Sequence, residues 1–210
     1  MESYKTQQEN FWAGKFGDEY SNRNVGTNWI ASNTALFAKI LSCTDGNIKS
    51  ILEFGANIGL NLLALKQLLP DTNLSAVEIN ESTVAKLKEN FYSIGGGKIY
   101  NQSILDFKVD AKYDFVLIKG VLIHINPVEL PNVYKKLYES SEKYICICEY
   151  YNPTPVSVNY RGNEGFLFKR DFAGEMLDLY PDLQLVNYGF VYHRDNIFKQ
   201  DDCTWFLLKK

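Results

Sequence analysis

Apolar positions along the chain alternate between a strand-like and a helical spacing, and this alternation predicts the order of the elements. Short apolar runs typical of buried strands occur at 50–54, 73–79, 98–103, 113–118 and 143–150. Helical spacing occurs before, between and after them, at 28–41, 59–69, 81–94, 131–138 and 171–180. Strands that alternate with helices in this way predict an α/β fold in which helices cross between parallel strands.

The end of the chain follows a different pattern. Two long strand-like runs, 183–193 and 203–210, are separated by about ten residues without helical spacing. We expect them to pair as an antiparallel hairpin, because antiparallel strands need only a short connection. The whole pattern predicts a seven-stranded, mostly parallel sheet with a C-terminal antiparallel hairpin.

Composition indicates one folded unit. The chain has 210 residues, of which 46% are hydrophobic, and this is enough to bury a full core. No repeat or linker-like segment interrupts it. We therefore expect a single domain over 1–210, with an aromatic and polar cap or lid segment at 1–27 and a core at 28–210.

Charge and hydropathy limit the expected partners. The 22 basic and 25 acidic residues are scattered, the formal net charge is −3, and no run of Lys or Arg is available to neutralise phosphates. No apolar segment has the length of a membrane span, and the first residues lack the basic-then-apolar order of a signal peptide. We expect a cytoplasmic protein without nucleic-acid or membrane partners.

Cysteine and histidine residues show no metal-binding pattern. The four cysteines contain no C-x-x-C pair, and Cys146 and Cys148 alternate by two along a predicted strand, as apolar fillers of one face would. The two histidines, His124 and His193, have no acidic cluster beside them. We expect no metal site.

The turn after the first strand has the glycine spacing of a nucleotide-binding loop, but its charge is unusual. Gly55 leaves room for a ligand to approach the backbone, and Gly59 lets the following helix pack close to the strand. Glu53 would repel a bound pyrophosphate and attract a positively charged group. Glu78 ends the second strand, 23 residues after Gly55, near the spacing at which an acid reaches ribose hydroxyls. These residues predict a site for a nucleoside that carries positive groups.

S-Adenosylmethionine is such a nucleoside, and the sequence resembles the class I S-adenosylmethionine-dependent methyltransferase family. Segment 52–61, LEFGANIGLN, resembles the family's E/D-x-G-x-x-x-G loop, and segment 76–80, AVEIN, resembles its ribose-binding strand end. Segments 101–107, NQSILDF, and 113–127, YDFVLIKGVLIHINP, resemble its adenine-contacting segment and its fourth-strand motif. The resemblance covers roughly 50–150 and implies a Rossmann-like sandwich with methyltransferase activity.

The resemblance also implies which residues hold the cofactor S-adenosylmethionine. The expected contacts in the core are Glu53, Gly55, Ala56, Asn57, Gly59, Glu78, Ile79, Ser103, Ile104, Lys119 and Gly120. From the cap segment, Tyr20 or Arg23 would reach the cofactor carboxylate, unless the aromatic residues there only pack over the fold. Many members of the family carry Asp where this chain has Ser103, so recognition of the adenine amino group at that position is open.

His124 is the candidate catalytic residue. A neutral imidazole at this sheet edge can take a proton from an acceptor oxygen or nitrogen near neutral pH. Its neighbours Leu122, Ile123 and Ile125 are apolar, so a half-buried structural histidine is the alternative. Methyl transfer can also proceed by positioning and exclusion of water, so the absence of a base would not exclude the enzyme.

A long connection after the fifth strand is expected to contact the acceptor. Its prolines and glycines, within 149–170, predict an irregular loop. Tyrosine rings there suit sugar rings, and polar side chains there suit hydroxyls and a carboxylate. The expected contacts are Tyr150, Tyr151, Asn152, Tyr160 and Arg161. The alternative is a surface loop packed down by its tyrosines.

Flanking segments narrow the resemblance to methylases associated with pseudaminic acid biosynthesis, a bacterial surface-sugar pathway. The similar segments are 11–24, 120–127 and 149–155. The resemblance implies methyl transfer to O or N of a small polar acceptor, such as an acidic nonulosonic sugar. The alternatives are a protein side chain or another metabolite as acceptor, and a non-catalytic cofactor-binding scaffold. The sequence does not indicate the acceptor atom or the oligomeric state.

Overall fold

The computed structural model describes residues 4–210, so residues 1–3 of the predicted cap segment lie outside the described part. Its helices are α1 (Gln7–Ala13), α2 (Lys15–Arg23), α3 (Thr27–Leu41), α4 (Leu60–Leu68), α5 (Glu81–Ser93), α6 (Leu130–Ser140) and α7 (Phe172–Leu179). Its strands are β1 (Ser50–Phe54), β2 (Asn73–Glu78), β3 (Ile99–Asn101), β4 (Tyr113–Lys119), β5 (Ser141–Glu149), β6 (Val156–Tyr160), β7 (Asn163–Lys169), β8 (Gln184–Val191) and β9 (Cys203–Lys209). Over residues 4–210, no helix combines the length and the apolar character that crossing a membrane requires.

Seven strands form one sheet in the order β3-β2-β1-β4-β5-β9-β8. The first five in this order are parallel, and β9 runs antiparallel to both β5 and β8. The predicted α/β fold with a seven-stranded, mostly parallel sheet and a C-terminal antiparallel hairpin is confirmed. The strand order reverses between β1 and β4, and open sheets of this type bind ligands outside the carboxyl ends of the strands at that point.

Helices cover both faces of the sheet, and successive residues of each central strand therefore enter different apolar clusters. Ile51 of β1 belongs to a cluster with residues of α3, α4 and α5, whereas Leu52 belongs to a cluster with residues of α6 and α7. Cys146 and Cys148 of β5 are both fully buried in the first cluster, as their spacing predicted.

The connection after β5 differs from the prediction of an irregular loop. Strands β6 and β7 form a separate two-stranded antiparallel sheet within it. The turn between them has positive φ at Arg161 (50°) and Gly162 (86°), the conformation of a tight hairpin turn that matches strand twist. Val156 and Val158 favour strand, but the prolines and glycines around them obscured that signal.

The cap segment contains two short helices. Thr6 begins α1 with a capping box, in which its hydroxyl accepts from the Glu9 amide and the Glu9 carboxylate accepts from the Thr6 amide. Stacked Phe11 and Phe16 join α1 to α2, with ring centroids 4.0 Å apart, and Phe11 also packs on Phe166 of β7 at 4.4 Å. We refer to α1, α2 and the turn at 160–163 as the cover.

Candidate functional site

A cavity of about 520 Å³ lies between the carboxyl ends of the parallel strands and the cover. From the sheet side it is lined by the loop after β1, the ends of β2, β4 and β5, and the segment after β3. From the cover it is lined by Gln8, Glu9, Trp12, Tyr20, Tyr160 and Arg161. The cavity is therefore at the point where the strand order reverses, as expected for a ligand site in this topology.

The glycines of the first loop are required by the backbone and by close packing. Gly55 has φ +71°, and a Cβ atom there would lie 2.5 Å from a methyl carbon of Val121. Gly59 has φ +84° immediately before α4, and a Cβ atom there would lie 2.7 Å from Leu87. Both positions therefore exclude side chains, and the loop backbone borders the cavity directly.

Glu78 lies in the cavity wall with its carboxylate fixed by main-chain donors. The Asn57 amide donates to Oε2 at 2.8 Å, and the Asn80 amide donates to Oε1 at 2.9 Å. Burial raises the pKa of Glu78, and the hydrogen bonds from these amides oppose that rise. The carboxylate joins the loop after β1 to the end of β2 and can still accept further hydrogen bonds from a ligand.

Glu53 occupies a different position from the one expected of a ligand contact. It is fully buried and is absent from the set of residues that line the cavity. The Asn61 amide group donates to Oε1 at 2.6 Å, Oε2 has no hydrogen-bond partner, and burial raises the pKa to about 8. Alternation along β1 turns the side chain toward α4, so Glu53 lies beneath the loop and is mostly protonated at neutral pH.

The remaining core residues expected to bind a cofactor do reach the cavity. These are Gly55, Ala56, Asn57, Glu78, Ile79, Ser103, Ile104, Lys119 and Gly120. Gly59 is the one remaining core residue that does not line the cavity, because it serves the packing of α4.

Two amide side chains missed by the sequence analysis also reach the cavity. Asn33 of α3 and Gln200, before β9, are buried, and the side-chain oxygen of each has no hydrogen-bond donor. The Gln200 amide nitrogen donates to the Ser32 carbonyl at 2.9 Å, which turns its oxygen away from that contact. No motif marks either position, because only the tertiary fold brings them together.

His124 lies in the cavity wall with a defined tautomer. Nδ1 is 2.6 Å from the Phe166 carbonyl oxygen, which can only accept, so Nδ1 carries the proton and Nε2 is free to accept. The ring packs against Trp12 and Tyr160, with centroids 4.6 and 4.8 Å away. Burial lowers the pKa of His124 to about 4, so the imidazole is neutral at pH 7.

Glu149, also missed by the sequence analysis, supports the turn that carries His124. Its Oε1 accepts from the Val121 and Leu122 amides, each at 2.9 Å, and its Oε2 is buried without a partner. Burial raises the pKa of Glu149 to about 7. Its place at the end of a buried strand, like that of Glu53 and Glu78, is the sequence signal that marks it.

The cover contributes an aromatic wall with unpaired polar atoms. Trp12 meets Tyr20 edge to face at 5.2 Å, and the Trp12 indole N–H and the Gln8 side-chain oxygen are buried without partners. Burial raises the pKa of Tyr20 to about 12. The Arg161 guanidinium lies 5.9 Å from the centre of the Tyr160 ring, at the cavity border.

Besides Glu53 and Gly59, three predicted contacts are not brought to the cavity. Arg23 is exposed, and its guanidinium lies over the Phe16 ring at 5.9 Å. Tyr151 packs on Phe206 with ring centroids 5.9 Å apart, and the side-chain amide group of Asn152 donates to the Thr154 carbonyl at 2.5 Å. Tyr150 does line the cavity, and because side chains alternate along extended chain, Tyr151 faces away from it.

Within residues 4–210, no three His, Cys, Asp or Glu side chains are grouped so that they could hold a metal ion.

Comparison with known proteins identifies the fold. No family model matches the sequence, and no curated protein matches it. Magnesium protoporphyrin IX methyltransferase from Synechocystis PCC 6803 with bound SAH superposes with a TM-score of 0.70 at 12% identity, over 96% of this chain and 97% of that one.

Two further solved structures support the same conclusion. An S-adenosylmethionine-dependent methyltransferase from Clostridium acetobutylicum ATCC 824 gives a TM-score of 0.60 at 13% identity, over 92% of this chain and 97% of that one. A glycopeptide N-methyltransferase complexed with S-adenosyl-L-methionine gives 0.61 at 12% identity, over 84% and 93% of the two chains. The chain therefore has the Rossmann-like α/β fold that these methyltransferases share.

Proposed function

We propose that the protein is an S-adenosylmethionine-dependent methyltransferase. The observation that carries the proposal is the cavity at the reversal of strand order, where the Glu78 carboxylate is held on main-chain amides beside a loop that excludes side chains. The fold shared with methyltransferases crystallised with SAM or SAH supports it. Glu53 does not line the cavity, and an acid placed as Glu78 is also suits the ribose of a dinucleotide. The fold shared with these methyltransferases is therefore what favours S-adenosylmethionine over a dinucleotide.

The residues present fit this cofactor at both of its ends. We assign the ribose hydroxyls to the Glu78 carboxylate, which suits hydrogen-bond donors. The unpaired oxygens of Asn33 and Gln200 suit the ammonium group of the methionine part, and the Lys119 side chain suits its carboxylate. A buried oxygen without a donor costs free energy until a ligand supplies one, so these atoms favour a ligand with N–H groups.

When bound, the cofactor supplies a sulfonium methyl group as the electrophile. The cover would exclude water through Trp12, Tyr20 and Tyr160, and it would hold the acceptor within the cavity beside the cofactor. We assign two roles to His124 Nε2. It accepts a hydrogen bond that orients the acceptor, and it receives the proton that the acceptor loses. Because the pKa of His124 is about 4, orientation is its larger contribution and proton uptake is the smaller one.

We further propose that the acceptor is a small polar molecule methylated on O or N, with an acidic nonulosonic sugar as the first candidate. Arg161 at the cavity border suits a carboxylate, and the tyrosine faces suit a sugar ring. The neighbours that act on a porphyrin and a glycopeptide support a small-molecule acceptor. The four free cysteines in the described residues agree with a reducing compartment such as the cytoplasm.

Methyl-labelled S-adenosylmethionine, incubated with the protein and a panel of acceptors, tests the proposal. The panel holds acidic sugars, their nucleotide-activated forms, other small amines and alcohols, and a protein extract. Label in an acidic sugar supports the full proposal. Label in another small molecule or in protein supports methyl transfer but contradicts an acidic sugar as the acceptor. Cofactor binding without transfer to any acceptor favours a scaffold, and the absence of binding contradicts the proposal.

A further inference from the structure

Glu9 brings a carboxylate from the cover into the cavity, beside the segment that follows β3. It lies in the first turn of α1, is 6% exposed and lines the cavity. The Ser103 hydroxyl donates to Glu9 Oε1, and the Thr6 amide donates to Oε2 at 2.9 Å. The two side chains are 94 residues apart in sequence, so nothing in the local pattern marks the contact.

The hydroxyl of Ser103 has less acceptor capacity left for a ligand than a carboxylate would have. It donates to Glu9 and accepts from the Leu105 amide at 3.0 Å, so its proton and one lone pair are already used. The contact with Ser103 holds the Glu9 carboxylate against the segment that follows β3. The position where the chain lacks an acidic residue of its own therefore receives one from the cover.

We infer that Glu9 accepts a hydrogen bond from the exocyclic amino group of the adenine ring, and this inference rests on the proposed function. A carboxylate oxygen accepts several hydrogen bonds, and Oε1 has only the Ser103 hydroxyl as a donor. An aromatic amine offers two N–H donors, whereas a purine without that group offers none. Glu9 is thus the residue that selects adenine, and it places helix α1 over the base.

Titration calorimetry with two ligands tests the assignment. The ligands are SAH and its 6-deamino analogue, in which a hydrogen atom replaces the amino group of the base. We expect the wild-type protein to prefer SAH by roughly ten- to a hundredfold, because a hydrogen bond to a charged acceptor is lost in the analogue.

The variant Glu9→Gln should reduce this preference to less than about tenfold, because a neutral acceptor makes a weaker bond. Gln also completes the capping box with Thr6, so α1 keeps its N-terminus. The variant Glu9→Met, which has no acceptor, should bind the two ligands equally. Glu19→Gln, on the exposed side of α2, is the matched control and should keep the wild-type preference.

The outcomes separate this inference from the proposed function. A wild-type protein that binds neither ligand overturns both. A wild-type protein that binds SAH, with an unchanged preference in Glu9→Gln, overturns the role of Glu9 and leaves the cofactor assignment standing. Equal weakening of both ligands in Glu9→Gln, with a lower melting temperature of the free protein, shows a structural role and also overturns the inference.

Discussion

The sheet edge and the cover enclose the same cavity, but main-chain hydrogen bonds hold the first and aromatic side chains hold the second. At the sheet edge, the Gly55 amide donates to the Val77 carbonyl at 2.8 Å, and Glu78 binds the Asn57 amide. In the cover, Trp12 packs on the His124 and Tyr160 rings. The sheet edge is thus fixed by the fold, whereas the cover depends on contacts between remote segments.

This difference assigns separate tasks to the two regions. A rigid, main-chain site suits a constant ligand such as a cofactor, because its geometry changes little with side-chain substitution. A wall of side chains suits the acceptor, because substitutions there change its shape without disturbing the sheet. Changes at the sheet edge should therefore reduce cofactor affinity, and changes in the cover should mainly affect acceptor kinetics. Glu9 is the exception, because it belongs to the cover but is proposed to contact the cofactor.

The largest effect is expected at Gly55. The Gly55→Val side chain would meet Val121 at 2.5 Å in a backbone conformation with positive φ, so the loop must move. We expect cofactor affinity to fall by about a hundredfold or more, measured by titration with SAH. Gly46→Val is the control, because Gly46 also has positive φ (+73°) but a Cβ atom there would meet no atom within 4 Å, and its affinity should match that of the wild type.

At His124, the effect should appear in turnover. We expect His124→Asn to lower kcat by about a hundredfold, with cofactor affinity within about twofold, because the oriented Nε2 acceptor is lost. The kcat of the wild type should be level above about pH 5 and fall as the pH approaches 4, where the imidazole gains a proton. His193→Asn, at an exposed histidine paired with Asp202, should leave kcat unchanged. Lower thermal stability with unchanged turnover per folded molecule would make His124 structural.

Glu78→Gln should reduce cofactor affinity by roughly ten- to a hundredfold. The amide keeps the volume of the side chain but removes the charge and turns one N–H group toward a main-chain donor. Glu81→Gln, exposed in the first turn of α5, is the control for charge. Equal SAH affinities in Glu78→Gln and Glu81→Gln would contradict the assignment of the ribose hydroxyls to Glu78.

In the cover, Arg161→Ala should raise the KM of an acidic acceptor by about tenfold and leave cofactor affinity within about twofold. Tyr151→Ala is the matched control, because Tyr151 packs on Phe206 outside the cavity and its KM should not change. If the KM rose in Tyr151→Ala alone, the acceptor site would lie on the other side of the sheet.

The smallest expected effect concerns the pH dependence of stability at Glu53. Burial raises its pKa from 4.5 to about 8, so between these values the folded protein holds a proton that the unfolded chain releases. The contribution of this proton to the free energy of unfolding is therefore present at low pH and is lost as the pH rises through 8. The free energy of unfolding of Glu53→Gln, relative to that of the wild type, should rise by about 1 kcal/mol from pH 6 to pH 7. Denaturant unfolding at the two pH values measures this change. A constant difference over that interval would show that Glu53 is ionised throughout.

The sheet edge could be predicted because its features are local in sequence. Gly55, Gly59 and Glu78 follow strands whose apolar pattern is clear, and parallel strands bring their carboxyl ends to one edge. The cover could not be predicted in the same way, because the contacts of Glu9 with Ser103 and of Trp12 with His124 join segments about a hundred residues apart.

Two errors have a common physical origin. Neighbouring residues of extended chain face opposite sides, and without the register the sequence could not show that Tyr150 faces the cavity while Tyr151 does not. Similarly, Glu53 was expected to meet the ligand, but its place in β1 directs it beneath the loop. Assignments of single side chains therefore needed the structure, whereas the order of elements did not.

Titration of SAH into the wild-type protein, with NAD as the competing dinucleotide, tests the central claim most directly. We expect one SAH bound per chain, no measurable heat with NAD, and loss of the SAH signal in Gly55→Val but not in Gly46→Val. Binding of NAD in preference to SAH, or SAH binding that survives unchanged in Gly55→Val, would contradict it.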